Sequence, residues 1–154
     1  MAVIDPTPEG HQPKTDQTGR CAVAYNGELY NYRELRKQLP GPFRTTGDTE
    51  VVLAACMHWG PEAVRRFNAM WAMAFVDVER RAGHLSRDPI GIKPLYWAFH
   101  DRRLVFASEL SALYRIPGLP RQIDPQAVAL YLTLGWIPHP YTIYRDVRKL
   151  SPGD

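Results

Sequence analysis

Cys21-Ala22-Val23-Ala24-Tyr25-Asn26-Gly27-Glu28-Leu29-Tyr30-Asn31 is the stretch whose reading decides the fold. Its first five residues are a short apolar run, which predicts a buried strand. Asn26-Gly27 is a turn pair, so the strand is expected to end there. Asn31 with Glu34 three residues later is a capping-box arrangement, which predicts a helix start. Leu35 and Leu39 share a face of that helix until Pro40-Gly41-Pro42 stops it.

Working outward, Phe43 to Thr46 reads as a brief strand, and Asp48 as the cap of a helix carrying Val52, Leu53 and Cys56 up to Trp59. Gly60 fits the helix end and Pro61 the first position of a new turn. Met70 to Val78 is a long apolar strand, with His84 to Arg87 as its hairpin partner. Tyr96 to Phe99 and Leu104 to Ala107 form a second hairpin around Asp101-Arg102. Ser108 is placed to cap a short helix with Leu110 and Leu113, and Asp124-Pro125 opens another through Leu132. Antiparallel hairpins with segregated helices define an α+β class rather than a doubly wound parallel sheet.

The 154 residues make one domain's worth of chain, and 45% hydrophobic with 23% charged residues is ordinary for a globular protein. The pI is about 9.0 and the net charge +3, but the arginines are scattered, which argues for a solvated surface and against nucleic-acid binding. No apolar stretch is long enough to span a bilayer, and Met1 to Pro6 lacks the basic and apolar parts of a signal peptide. Two cysteines make no disulfide framework, so a reducing cytoplasm is the expected compartment. The chain contains no Gly-rich phosphate loop and no cysteine–histidine cluster at metal spacing, so no cofactor and no metal are expected in it.

Three segments carry more. They are Asn26 to Arg36 (NGELYNYRELR), Thr46 to Leu53 (TGDTEVVL) and Arg87 to Tyr96 (RDPIGIKPLY). In this order and spacing they resemble the glutaminase domain of glutamine-hydrolysing asparagine synthetases, a class II glutamine amidotransferase. The likeness extends from Ile4-Asp5 through Phe106-Ala107-Ser108-Glu109-Leu110 to Lys149-Leu150-Ser151-Pro152-Gly153. The resemblance implies an N-terminal-nucleophile hydrolase fold: a four-layer αββα sandwich of antiparallel sheets, incomplete at the N-terminus. Residues 1–135 would be a partial amidotransferase domain, and 136–154 an exit linker toward an ATP-dependent synthetase domain outside this chain. ATP and Mg would belong to that domain. Missing strands would leave an apolar sheet edge, so self-association into a homo-oligomer is expected.

The resemblance also implies the chemistry. Glutamine is hydrolysed by a thiolate, and the ammonia released serves ATP-dependent formation of asparagine from aspartate. Asn26, by its side-chain amide, and Gly27, by its backbone N–H, match the pair that stabilises the oxyanion. Asp48 matches the carboxylate that receives the glutamine α-ammonium, and Glu28 borders the same pocket. Arg87 and Asp88 read as a structural clamp. The family's nucleophile is an N-terminal cysteine; here residue 2 is Ala2, and Cys21 opens an apolar strand. The chain as written is therefore expected to be inactive. The alternatives are a non-catalytic glutamine-binding or structural module, as in β-lactam synthetases, or another class II enzyme such as an amidophosphoribosyltransferase.

Overall fold

The computed structural model describes residues 10–154, so the readings placed on Ala2 and Ile4-Asp5 lie outside the described residues. Two antiparallel sheets form the framework, as the α+β class requires. The first has the order β1 (Lys14–Thr15), β2 (Cys21–Leu29), β3 (Ala69–Asp77), β4 (Ala82–Arg87). The second has the order β6 (Arg103–Ala107), β5 (Tyr96–His100), β7 (Arg148–Lys149).

The apolar run at Cys21 does not stop at Asn26-Gly27. β2 runs straight through the pair, with Asn26 opposite Ala72 and Gly27 opposite Trp71. The turn preference of Asn-Gly is a local effect, and nine paired residues on β3 override it. One face of this sheet carries Val23, Tyr25, Leu29, Trp71 and Met73, all buried against α2 (Asp48–Trp59) and the 3₁₀ segment Gly60–Arg66. Alternation puts Asn26 and Glu28 on the other face.

Three local expectations need correction. The helix after Asn31 is only α1 (Tyr32–Arg36), and Asn31 does not cap it. Its side chain instead receives the Asn68 N–H at 3.0 Å and donates to the Arg66 carbonyl at 2.9 Å. Phe43 to Thr46 form no strand. The Glu50 carboxylate takes the backbone N–H groups of Arg44 and Thr45 and the Thr45 hydroxyl, so those two N–H groups are not available to a ladder. The N-cap of α3 (Leu110–Leu113) is Glu109, not Ser108. Asp124 does cap α4 (Pro125–Leu134) as expected, accepting the Gln126 N–H at 3.0 Å.

Behind the second sheet, Ala98, Leu113, Leu119 and Val147 make a separate small core. Residues 136–154 take part in it: Val147 and Thr142 are buried, and β7 pairs with β5. β6 is an edge strand of that sheet, and Phe99 on β5 and Leu104 and Phe106 on β6 are exposed. No helix among the described residues is long and apolar enough to cross a membrane.

The sheets' loops are held by Arg87 and Asp88. The Arg87 guanidinium donates to the carbonyls of Lys93, Leu150 and Gly91, each at 2.7 Å. Buried Asp88 accepts four backbone N–H groups, from Trp71, Ile90, Ile92 and Lys93. The pair thus joins β3, the 89–94 loop and the C-terminal segment, which is the clamp expected of it.

Candidate active site

The site is built on one edge of β2. In an antiparallel ladder the N–H and C=O of one residue point to the same side. Trp71 exchanges hydrogen bonds with Asp88, its N–H with the carboxylate and its carbonyl with the Asp88 N–H. Trp71 therefore faces β4, and Gly27 opposite it forms a non-hydrogen-bonded pair whose N–H points away from β3.

The neighbours of Gly27 on this edge obey the same parity and are occupied. Tyr25 is held by the Gln12 side chain, which accepts its N–H and donates to its carbonyl at 2.7 Å. Leu29 donates to Asp48 Oδ2 at 2.9 Å. Between them, the Gly27 N–H has no partner among the described residues. Its nitrogen lies about 7 Å along the strand from that of Leu29, at two residues of rise.

Gly27 is fixed by packing rather than by a special φ. A Cβ there would collide with the Met70 carbonyl oxygen and lie 2.7 Å from Tyr25 Cζ. Gly27→Ala should therefore cost about 1–3 kcal/mol of stability, the usual range for overpacking. Urea denaturation checks this; an unchanged midpoint would show that the ring and strand yield freely.

Asp48 is the first residue of α2, and Gly47 occupies the cap position. The Asp48 side chain turns to β2 instead, with Oδ2 on the Leu29 N–H and Oδ1 near the Thr49 hydroxyl at 3.4 Å, a long contact. Burial raises the Asp48 pKa, against the lowering effect of the Leu29 N–H and the helix's own first N–H groups. Asn26 extends to the second sheet, where its Nδ2 donates to Ser108 Oγ at 3.0 Å. Glu28 lies on the same face, half-buried and with no hydrogen-bond or ion-pair partner among the described residues. So Gly27 and Asp48 share the strand edge, Asn26 and Glu28 share the adjoining face, and all four surround one segment of β2.

Ser108 was not separable by sequence from an ordinary helix cap; only its contact across the sheets marks it. Neither cysteine joins the group. Cys21 and Cys56 are each 2% exposed. Burial pushes up the Cys21 thiol, and carries Cys56 to about 12. A separate cavity of about 780 Å³ on the outer side of α2, lined by Phe43, Glu50, Met57 and His58, includes none of the four residues.

Among the described residues, the group thus combines a free backbone donor beside an amide side chain with a buried carboxylate two residues along. The sequence bears out the class: residues 1–154 match the glutamine amidotransferase domain, and the chain belongs to that family, of the class II type. Within it, the relatives that span nearly the whole chain include several glutamine-hydrolysing asparagine synthetases. A putative asparagine synthetase of Methanocaldococcus jannaschii is 34% identical over 98% of this chain and 32% of its own length. A putative asparagine synthetase of Mycobacterium tuberculosis is 37% identical over 99% of this chain and 25% of its own. Asparagine synthetase 1 of Bacillus subtilis is 34% identical over 99% and 24%. The chain thus spans between about a quarter and a third of these relatives' lengths.

Among solved structures, the allosteric regulatory enzyme of purine biosynthesis matches with a TM-score of 0.59, at 21% identity over 92% of this chain and 27% of that one. The glutamine phosphoribosylpyrophosphate amidotransferase of B. subtilis gives 0.55, at 24% identity over 67% and 25%. These likenesses place the fold with the class II amidotransferases.

Proposed function

We propose that this chain forms the glutamine-binding part of an asparagine synthetase-like amidotransferase, in which glutamine hydrolysis supplies ammonia for ATP-dependent synthesis of asparagine from aspartate. The observation that carries the reading is the Gly27 N–H, which has no partner among the described residues and is set between two occupied positions on the β2 edge. With the Asn26 amide it supplies the two oxyanion donors. Asp48 receives the substrate α-ammonium through its less engaged oxygen, and Glu28 borders the pocket. The two sheets are the inner layers of a four-layer αββα sandwich. Residues 136–154 lead toward the synthetase domain, in a cytoplasmic protein whose ATP and Mg that domain would hold. Neither donor strategy nor fold likeness favours a phosphoribosyl acceptor, since the structural matches lie below 25% identity.

A second reading has one observation behind it. Both cysteines are buried, so the chain can bind glutamine without hydrolysing it, as a non-catalytic module would.

Calorimetric titration with L-glutamine tests the shared core of both. Asp48→Asn keeps an acceptor for the Leu29 N–H but removes the charge, and should weaken binding by about ten- to a hundredfold, the worth of a charged hydrogen bond. Because the folded Asp48 pKa is raised above 3.8, binding should fall off with decreasing pH sooner than an ordinary carboxylate would require. Equal affinity of wild type and Asp48→Asn would end this assignment.

A further inference from the structure

We infer that Ser108 is a positioning residue for the oxyanion donor Asn26. The inference rests on the proposed reading of Asn26 and adds a residue to it. Three observations carry it. Asn26 Nδ2 donates to Ser108 Oγ at 3.0 Å, across 82 residues of sequence. Ser108 does not serve the helix that follows it, because the cap of α3 is Glu109 and no side chain caps that helix. No other hydrogen bond involves the Ser108 side chain or the Asn26 amide among the described residues. The hydroxyl's one assigned contact is therefore the Asn26 side chain.

The physical case concerns direction. An asparagine amide turns about two side-chain bonds and can present either N–H or C=O to a given point. Only an N–H stabilises an oxyanion; a carbonyl oxygen there would repel it. Preorganised donors matter because they need no reorientation as charge develops. With one Nδ2 hydrogen held by Ser108, the planar amide fixes the direction of the other. Ser108 follows directly on β6, in the bend before α3, so the amide of β2 is aimed from outside its own sheet. Ser108 touches no reacting atom.

The probe is L-glutamate, which places a negatively charged oxygen where glutamine hydrolysis would generate one. L-norvaline, which has the α-amino and α-carboxyl groups and no side-chain oxygen, is the control. Titration of the 154-residue chain should show Ser108→Ala weakening L-glutamate about fivefold, the effect of one ordinary hydrogen bond. L-norvaline affinity should be unchanged, and Ser108→Thr, which keeps the hydroxyl, should restore L-glutamate binding. Asn26→Ala should weaken L-glutamate at least as much, and adding Ser108→Ala to it should cost nothing further, because a residue acting through Asn26 has nothing left to act on. Loss in Asn26→Ala but none in Ser108→Ala would overturn the role of Ser108 and leave the site standing. Equal losses for both probes, or additive losses in the double variant, would reduce the contact to a structural tie between the sheets. No loss in Asn26→Ala, or no binding by the wild-type chain, would remove the oxyanion reading and the inference together.

Discussion

Asp88→Ala should lower the unfolding free energy by about 3–5 kcal/mol, the range for removing one partner of a buried charged network. Asp88 is 1% exposed, and its carboxylate accepts N–H groups from β3 and from three residues of the 89–94 loop. Alanine offers these donors nothing. Trp71 is buried, and its N–H would be left without a partner. Asp88→Asn keeps one acceptor oxygen and should fall between the two. Urea denaturation at neutral pH measures the series.

The same carboxylate predicts an acid limb. Burial alone would raise the Asp88 pKa, but the N–H groups of Ile92, Lys93, Trp71 and Gly91 outweigh it and hold the group below its ordinary 3.8. A depressed folded-state pKa means the stabilisation is complete above 3.8 and is lost as pH falls from there through the folded value. Asp77, held at about 2 by Arg20, adds to the same window. Wild type should therefore lose stability more steeply below pH 3.8 than Asp88→Ala does. Parallel curves would show that Asp88 does not titrate with folding.

What the sequence showed and hid divides along sequence distance. The β5–β6 hairpin was legible because its partners are adjacent and Asp101 and Arg102 take the positive φ that its turn demands. The cap at Asp124 was equally local, though the helix runs two residues past the expected Leu132. β2 was half-read. Its apolar start was plain, but Asn26-Gly27 looks like a turn to any local rule, and the strand that overrides it lies more than forty residues on. For the same reason the sequence misplaced the caps. Asn31, Asp48 and Ser108 are good capping residues, and each spends its side chain on a distant partner instead: Asn68, Leu29 and Asn26. The candidate site consists largely of such diverted residues. Composition and spacing named Asn26, Gly27, Glu28 and Asp48 only through family resemblance; the parity of the β2 edge supplies a physical reason for Gly27 and Asp48 that no periodicity contained.

The 154-residue chain should release no glutamate from glutamine above the background of uncatalysed hydrolysis plus a weak contribution from binding. The attack on a side-chain amide needs a thiolate or an equally activated nucleophile. The sequence holds two cysteines, both buried, and burial raises both thiols away from the reactive form. On the proposed reading, the oxyanion donors would have no intermediate to stabilise without a nucleophile; in other hydrolases, binding and oxyanion groups left without their nucleophile retain only about 10³–10⁴ over water. Enzymatic accelerations run from about 10⁶ upward, so the deficit should be about a hundredfold at the least. Cys21→Ala and Cys56→Ala should change the rate by nothing, whatever they do to packing. A version carrying in front of residue 1 a family-like segment that opens on cysteine should gain glutaminase activity, and that gain should vanish in Asn26→Ala. Turnover by the 154-residue chain that disappears in Cys21→Ala would mean that β2 opens to expose its first residue, and the nucleophile would then lie on the same strand as the donors. An extended version that folds and binds L-glutamine but releases no glutamate would favour the non-catalytic module, because nucleophile, donors and substrate would all be present without their alignment.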